Sequence, residues 1–353
     1  MLIFASLTTD ELYMYRCLQL AAMGAGNTAP NPMVGAVLVY GDRIIGEGFH
    51  RCFGGAHAEV NCISSVNNAD EKFISGSTLY VSLEPCTHFG KTPPCTDLIL
   101  DKKIPAVVIG CKDISDKVGG RGIPILLNAG INVTVGILER EAYDLNRRFF
   151  TFHQRKRPYI ILKWAQSSDA ILANPDGSGI PISNEFTRRL VHKWRSEEAA
   201  ILVGTNTAFN DDPSLTTRLW KGKDPLRLVI DRQLKLPSSL KLFDGSVKTV
   251  VFNRLKSEES SMLSYYKVDG VNELKGIMDI LYHLQVLSIL VEGGAKTLQS
   301  FIDAGLWDES RIITNEQLRI GEGIKSPVLH NAKFSNEVQC LTDKITCLFN
   351  EVY

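Results

Sequence analysis

The sequence predicts an α/β protein in two domains, and three observations carry that expectation. Short continuous apolar runs of strand length recur along the chain, among them MVGAVLVY (33–40), STLYVSL (77–83) and YIILKWA (159–165). Helical segments separate them, the alternation expected of strands that cross over through helices into a largely parallel sheet. At 353 residues the chain has the length for two such cores. A basic stretch closed by proline, Arg155-Lys156-Arg157-Pro158, falls between two series of elements and reads as a solvated connector. Domains are therefore expected at residues 1–150 and 151–353.

Composition narrows the class. Hydrophobic residues make up 44% and charged residues 22%, with 39 basic and 39 acidic side chains balancing to zero. That balance gives no bulk attraction for nucleic acid and suits a small polar substrate better. The N-terminal MLIFASLTTDE is too short in its apolar part for a signal segment and has no basic residues before it. No apolar run reaches membrane-spanning length, so a cytoplasmic protein without a membrane partner is expected. Self-association as a homo-oligomer is compatible with all of this. Eight cysteines in such a chain point to metal binding or burial rather than to a disulfide framework.

Taken in order, Thr8 and Glu11 form a capping box ahead of LYMYRCLQLAAMG, with apolar residues at 12, 15, 18 and 22 on one helical face. The helix should stop near Gly24. GAGNTA (24–29) matches G-x-G-x-x-A, but a helix precedes it and PNP follows, so it reads as a turn and not as a dinucleotide site. MVGAVLVY and GDRIIGEGF make a hairpin. His57 to Val66 is a helix, STLYVSL a buried strand ending at Glu84-Pro85-Cys86, and Cys95 opens a short helix, TDLILDKK. PAVVIG (105–110) and INVTVGIL are further strands, and EREAYDLNRRFFTFH is one helix.

The stretch HAEVNCI to SLEPCTHFGKTPPC holds the clearest chemistry. His57, Cys86 and Cys95 offer one imidazole and two thiolates, a set that suits Zn2+ and leaves a fourth position for water. Glu59 follows His57 by two residues, and Pro85-Cys86 comes later. This is the H-x-E and Pro-Cys arrangement of zinc nucleobase deaminases, with Glu59 as the catalytic acid/base for water attack on an amino-bearing ring carbon. Eight residues separate Cys86 from Cys95, where those deaminases have two. A closed structural zinc site is the alternative, with His88 as a fourth ligand; Cys111 follows a strand remote from the motif. Cys17, Cys52, Cys62, Cys111, Cys340 and Cys347 read as small buried hydrophobes.

In the second half, AAILVG (199–204), LRLVI (226–230), KTVVF (248–252) and SILVE (288–292) are strands, with TRRLVHKWR helical between the first of them and YIILKWA. VEGGAKTLQSFIDAGLWDE (291–309) is a strand, a Gly-Gly turn and a helix, whose first backbone N–H groups can cradle a phosphate. TNTAFNDDPSLTTR (205–218) is polar and ends in arginine, and reads as a long functional loop.

PNPMVGAV (30–37), GFH (48–50), HAEVN (57–61) and EPCTHFGKTPPC (84–95), together with Lys163, Thr207, Asp211, Leu215, Arg218 and Glu292-Gly293-Gly294, resemble the bifunctional riboflavin-biosynthesis deaminase/reductase family. The resemblance implies a cytidine-deaminase-like zinc domain followed by a dihydrofolate-reductase-like domain. It implies deamination of 2,5-diamino-6-(5-phosphoribosylamino)pyrimidin-4(3H)-one, then NADPH reduction of the ribosyl group to ribityl. Asn31 and His50 would meet the first substrate, His50 at its phosphate, with Lys91 nearby. Lys163, Trp164, Thr207, Asp211, Gly294, Ala295, Lys296 and Thr297 would contact NADPH. Ser178, Arg195, Leu215, Arg218 and Glu292 would contact the second substrate, the arginines suiting its phosphate.

Three departures stand out. The family's Ser-x-Asp-Gly is Ser167-Ser168-Asp169-Ala170 here, a common Trp is Ile180, and a common Ser is Arg232. Two other readings compete: a zinc deaminase of another base with a non-catalytic second half, and an editing protein on the deaminase fold. The long Thr87–Pro94 insertion weighs against the first and the neutral charge against the second.

Overall fold

The computed structural model describes residues 7–87, 93–115 and 119–351. The chain divides into two units, Met1–Arg155 and Lys156–Tyr353. His88 and Lys91 lie outside the described residues.

The first unit runs α1 (Thr9–Ala22), β1 (Gly35–Tyr40), β2 (Arg43–Phe49), α2 (Ala58–Ser64), β3 (Thr78–Leu83), α3 (Cys95–Asp101), β4 (Ala106–Cys111), α4 (Gly122–Asn128), β5 (Asn132–Val135), α5 (Glu139–Leu145) and α6 (Arg147–Arg155). The sheet order is β2-β1-β3-β4-β5. β1 is antiparallel to both its neighbours, and β3, β4 and β5 are parallel. Alternate strand residues feed two cores. Leu38, Leu79, Val81, Val107 and Ile109 pack with Cys62 of α2 and Ile99 of α3, while Val37, Val39, Tyr80 and Val108 pack with Met14, Cys17 and Leu20 of α1. Two glycines let helices lie close on the sheet. A Cβ at Gly35 would stand 2.0 Å from the Cys17 carbonyl oxygen, and one at Gly48 2.2 Å from the Cys62 nitrogen.

The Thr8 capping box forms: Thr8 N donates to Glu11 Oε2 at 2.7 Å and Glu11 N to Thr8 Oγ1 at 3.3 Å. The buried face of α1, however, is Met14, Cys17, Leu18, Leu20 and Ala21, with Leu12 and Ala22 exposed. Contact with β1 and β3 turns the helix away from the face that the 12/15/18/22 spacing suggests. GAGNTA is a turn, as expected. The single helix expected over 139–153 is broken at Asn146. Its buried amide grips Met33, accepting from the backbone N and donating to the backbone O at 2.8 Å each. Of the six unassigned cysteines, Cys17, Cys62 and Cys111 are buried, but Cys52 is exposed and Cys340 and Cys347 only half-buried.

The second unit runs β6 (Tyr159–Ser167), β7 (Ile171–Ala173), α7 (Glu185–Glu197), β8 (Ala200–Gly204), α8 (Thr205–Asp211), β9 (Leu226–Ile230), β10 (Thr249–Asn253), β11 (Leu263–Lys267), α9 (Glu273–His283), β12 (Ser288–Val291), α10 (Ala295–Asp303), β13 (Glu309–Asn315), β14 (Ile324–Lys325), β15 (Ala332–Cys340) and β16 (Asp343–Asn350). Its nine-stranded sheet has the order β11-β10-β9-β8-β12-β6-β13-β16-β15. The first seven of these are parallel, and β16 and β15 are antiparallel additions at one edge. Two expectations change here. Arg157 is no solvated connector: it is buried and pairs twice with Asp308, at 2.6 and 2.9 Å. The first half of the 205–218 stretch is helix α8, because Ala208 is buried against Val203, Leu215 and Val229.

Candidate metal centre and cofactor cavity

His57 is the N-cap of α2, and Glu59 lies in that helix's first turn. Cys86 follows β3 by three residues and Cys95 is the first residue of α3. This brings the three donor atoms within 4.8 Å of one another. His57 Nδ1 stands 3.3 Å from Cys95 Sγ and 3.4 Å from Cys86 Sγ. A tetrahedral zinc ion with ordinary Zn–N and Zn–S lengths needs N and S donors roughly 3.5 Å apart, so the residues fit the ion. Hydrogen bonding from Cys95, against the cost of burial, and then from His57 holds the Cys86 thiol well below its usual range, at about 4. Cys111 is not in this group; its thiol faces the Ser82 carbonyl oxygen at 3.6 Å.

Glu59 is buried, and its carboxylate meets Cys95. Burial pushes this carboxyl up, and the neighbouring Cys86 adds to the shift. Next to the ligands, Asn31 Nδ2 lies 3.1 Å from His50 Nε2, and His50 Nδ1 lies 3.0 Å from the Ala56 carbonyl oxygen. Burial pushes the His50 imidazole down. A buried neutral ring with both nitrogens engaged is not placed to meet a phosphate. It instead orients the Asn31 amide, and its ring centroid is 5.5 Å from that of His57.

Glu84, two residues before Cys86, has a role that the motif does not assign. It is buried and accepts from the backbone N–H groups of Gly122, Ile123 and Asp113 at 2.8, 3.1 and 3.2 Å. It thus ties the loop after β3 to the start of α4, itself an element that was not expected. The available signal was an acid at the end of an otherwise apolar strand.

In the second unit, the C-terminal ends of β6, β8, β9 and β12 border a cavity of about 570 Å³. Open parallel sheets bind ligands at that edge. Lys163, Trp164, Thr207, Asp211, Gly294, Ala295, Lys296 and Thr297, all expected at the cofactor, line it together with Glu292. The base is tightly interlocked. Gly294 N donates to Thr207 Oγ1 at 2.7 Å, and a Cβ on Gly204 would meet Thr297 Oγ1 at 2.4 Å. α10 starts at this base without a side-chain cap, so its first N–H groups suit a phosphate. The cradle fits a dinucleotide such as NADPH.

A buried charge cluster backs the cavity. Arg195 binds Glu292 in a two-point pair at 2.8 and 2.9 Å, and Lys163 Nζ is 3.7 Å from the same carboxylate. Burial pushes the Glu292 carboxyl up, but Arg195 and then Lys163 outweigh it and hold it at about 2. Burial pushes the Lys163 amine down. His192, to which the sequence gives no role, packs here and falls to about 4 through burial and the charges of Arg195 and Arg218.

Not every expected substrate residue faces the cavity. The Arg195 guanidinium is committed to Glu292 and to the Thr216 carbonyl oxygen, which leaves it poorly placed for a phosphate. The Leu215 side chain is buried in the core, so only its backbone, at φ 50°, can serve a ligand. Ser178 is exposed and turned onto Asp176 at 2.7 Å. Arg218 is exposed, with Nη1 donating to Thr216 Oγ1 at 2.8 Å, and remains open to an anion.

Two family profiles match the chain. The RibD C-terminal domain covers residues 158–336, and the cytidine and deoxycytidylate deaminase zinc-binding region covers 7–111. The riboflavin biosynthesis protein RibD of Aquifex aeolicus is 42% identical over 330 residues, 90% of this chain and 91% of that protein. The chain belongs to the RibD family. The RibD of Escherichia coli is 35% identical over 85% of this chain and 86% of its own. A crystal structure of the diaminohydroxyphosphoribosylaminopyrimidine deaminase/5-amino-6-(5-phosphoribosylamino)uracil reductase from Thermotoga maritima superposes with a TM-score of 0.89 at 35% identity, covering 97% of this chain and 99% of that one. Acinetobacter baumannii RibD gives 0.86 at 30% identity, over 97% and 98%. As a RibD protein, the chain is a two-domain deaminase and reductase of riboflavin biosynthesis, with a zinc-binding deaminase domain followed by the RibD reductase domain. Its cofactors are Zn2+ and NADPH, as the resemblance implied.

Proposed function

We propose that the unit ending at Arg155 removes ammonia from 2,5-diamino-6-(5-phosphoribosylamino)pyrimidin-4(3H)-one. The unit from Lys156 then reduces the ribosyl group of the deaminated product to ribityl. The observation that carries the first half is Glu59, a buried acid set against the His57, Cys86 and Cys95 donors. Those three would hold a zinc ion, which would supply a water activated as a nucleophile at neutral pH. Glu59 takes one proton from the water to the ring nitrogen, then moves the proton of the added hydroxyl to the amine, so that the carbonyl forms as ammonia leaves. A carboxyl raised by burial is suited to carry a proton both ways. Asn31, oriented by His50, hydrogen-bonds the ring.

For the second step, the cavity residues would hold NADPH, which would supply the hydride for the ribosyl carbon. Thr207 and the Gly293-Gly294 turn shape the floor on which the cofactor phosphates rest. Glu292, fixed by Arg195, and the buried Lys163 face the cavity and position the sugar. Arg218 takes the substrate phosphate. The substrate is a small molecule, and no helix among the described residues is long and apolar enough to cross a membrane; we place the protein in the cytoplasm.

Supplying the diaminopyrimidinone ribosyl phosphate to purified protein, with ammonia and NADPH absorbance followed together, tests the reading. Ammonia release followed by NADPH oxidation is expected. NADPH oxidation without prior ammonia would overturn the order, and neither signal would overturn the substrate.

A further inference from the structure

Arg232 is a departure from the family's serine, and the cofactor cavity contains it. β8 and β9 are parallel, with Gly204 opposite Ile230. Arg232 therefore emerges two residues beyond the strand position that faces the glycine floor, and it lines the cavity wall with Ile230. One strand further out, Ile230 pairs with Phe252 of β10, and Arg254 stands just past that strand's end. The Arg254 backbone N donates to the Arg232 carbonyl oxygen at 3.1 Å, which locks the two strand ends together.

Both guanidiniums converge on one carboxylate. Arg232 donates through Nε to Glu273 at 2.8 Å and also through Nη2, and Arg254 Nη2 lies 3.6 Å from the same group. Glu273, the first residue of α9, is nearly buried, while the two arginine side chains are 51% and 41% exposed. Two cations on one anion leave a net positive charge open to solvent. Among the described residues, Arg232 Nη1 makes no hydrogen bond, so the guanidinium is oriented by Glu273 while keeping a donor edge for a ligand. Asp231 does not compete for the guanidinium. It is buried and turned onto the Lys235 and Leu236 N–H groups at 3.1 and 2.9 Å.

The order along the sheet edge is Lys163 on β6, Glu292 after β12, Gly204 on β8, then Arg232 and Arg254 after β9 and β10. Four strand spacings separate β6 from β10, roughly 19 Å. A dinucleotide with its reactive ring beside Lys163 and its phosphates on the glycine floor carries its adenosine ribose toward β9. In nucleotide-binding α/β sheets, the end of the strand next to the glycine turn reads that ribose, and arginine there accommodates a 2′-phosphate.

We propose that Arg232, supported by Arg254 and oriented by Glu273, binds the 2′-phosphate of the cofactor and sets this chain's preference for NADPH over NADH. This rests on the cavity's being the dinucleotide site. Arginine gives a forked, charge-assisted contact that a serine hydroxyl cannot.

Calorimetric titration of the full chain with NADPH, NADH and adenosine 2′,5′-bisphosphate tests it. The unmodified chain is expected to bind NADPH well ahead of NADH. Arg232→Ser should weaken NADPH and the bisphosphate roughly 10- to 100-fold and leave NADH within about twofold, the size of a lost charge-assisted contact. Arg232→Lys should fall between, and adding Arg254→Ser should remove what preference remains. A double serine variant with the original NADPH-to-NADH ratio overturns the assignment alone. Equal loss of both cofactors in the Ser and Lys variants makes Arg232 a structural residue and also overturns it. Failure of the unmodified chain to bind either dinucleotide overturns the cavity reading itself.

Discussion

The metal centre takes its donors and its acid from one stretch, residues 57 to 95, while the cofactor cavity takes its wall from positions spread between 163 and 324. The first site is made of side chains that few other duties explain: a histidine at a helix cap, two buried cysteines and a buried carboxyl. The second is made of strand ends, glycines without room for a Cβ, and ion pairs buried behind the wall. Side-chain chemistry specifies the one site and sheet topology the other. The first should therefore fail when a single proton carrier is lost, and the second when its charges or backbone are disturbed.

The sharpest break of that contrast comes from crossed variants. Glu59→Gln is expected to cut ammonia release by about 10²- to 10⁴-fold, the usual scale for losing a positioned acid/base, with zinc content unchanged. Reduction of the already deaminated product should stay at the level of the unmodified chain. Lys163→Ala should do the reverse, sparing ammonia release and removing NADPH oxidation. Zinc loss from the glutamine variant, or loss of both activities from either, would mean that the two sites are not independent.

An effect on stability separates the two carboxyls. Glu292 is held at about 2 in the fold, below its ordinary 4.5. Its contribution is complete above the ordinary value and is lost as pH falls toward 2. Glu59 has the opposite sign: its carboxyl is raised, so its ionisation opposes folding as pH rises through the folded value. All four tryptophans, Trp164, Trp194, Trp220 and Trp307, lie beyond Arg155, so tryptophan fluorescence reports on the second unit alone. Denaturant titrations between pH 3 and 6 should show the second unit weakening with acid, and Glu292→Gln should flatten that slope. An unchanged slope in the variant would remove Glu292 from the account.

The same contrast governs what the sequence made legible. His57, Glu59, Cys86 and Cys95 are readable because ligand types at that spacing have few other uses, and the structure brings the three donors together. Strands buried on both faces, such as Ala200–Gly204 and Ser288–Val291, are readable as apolar runs. The edge strand Ala332–Cys340 is exposed nearly throughout and carries no such run. Arg157 looked solvated because it sits in a basic cluster, and its partner, Asp308, is 151 residues away. The resemblance implied a phosphate contact for Arg195, whose observed partner, Glu292, is 97 residues distant. Long-range charge pairing has no local signature. The break at Asn146 likewise depends on Met33, 113 residues earlier.

The smallest expected effect lies in the turn that enters the cavity wall. Ala170 follows β6 with φ 61°, in the left-handed region where the family's glycine sits without cost. A Cβ there opposes the following carbonyl by about 1 kcal/mol. The turn is nonetheless held. Asp169 accepts from Ser167 Oγ at 2.6 Å and from Gly321 N at 2.8 Å, and Ser326 N donates to the Ala170 carbonyl oxygen at 2.9 Å. Because the surroundings enforce the conformation, the strain stays in the folded state. Ala170→Gly should therefore raise the stability of the second unit by roughly 1 kcal/mol, less the few tenths lost to a more flexible unfolded chain. Ammonia release should not change, since the substitution lies outside the first unit. A denaturation midpoint that falls instead would mean that the Asp169 hydrogen bonds set the turn without strain. The alanine would then be a neutral replacement at this position rather than a tolerated defect.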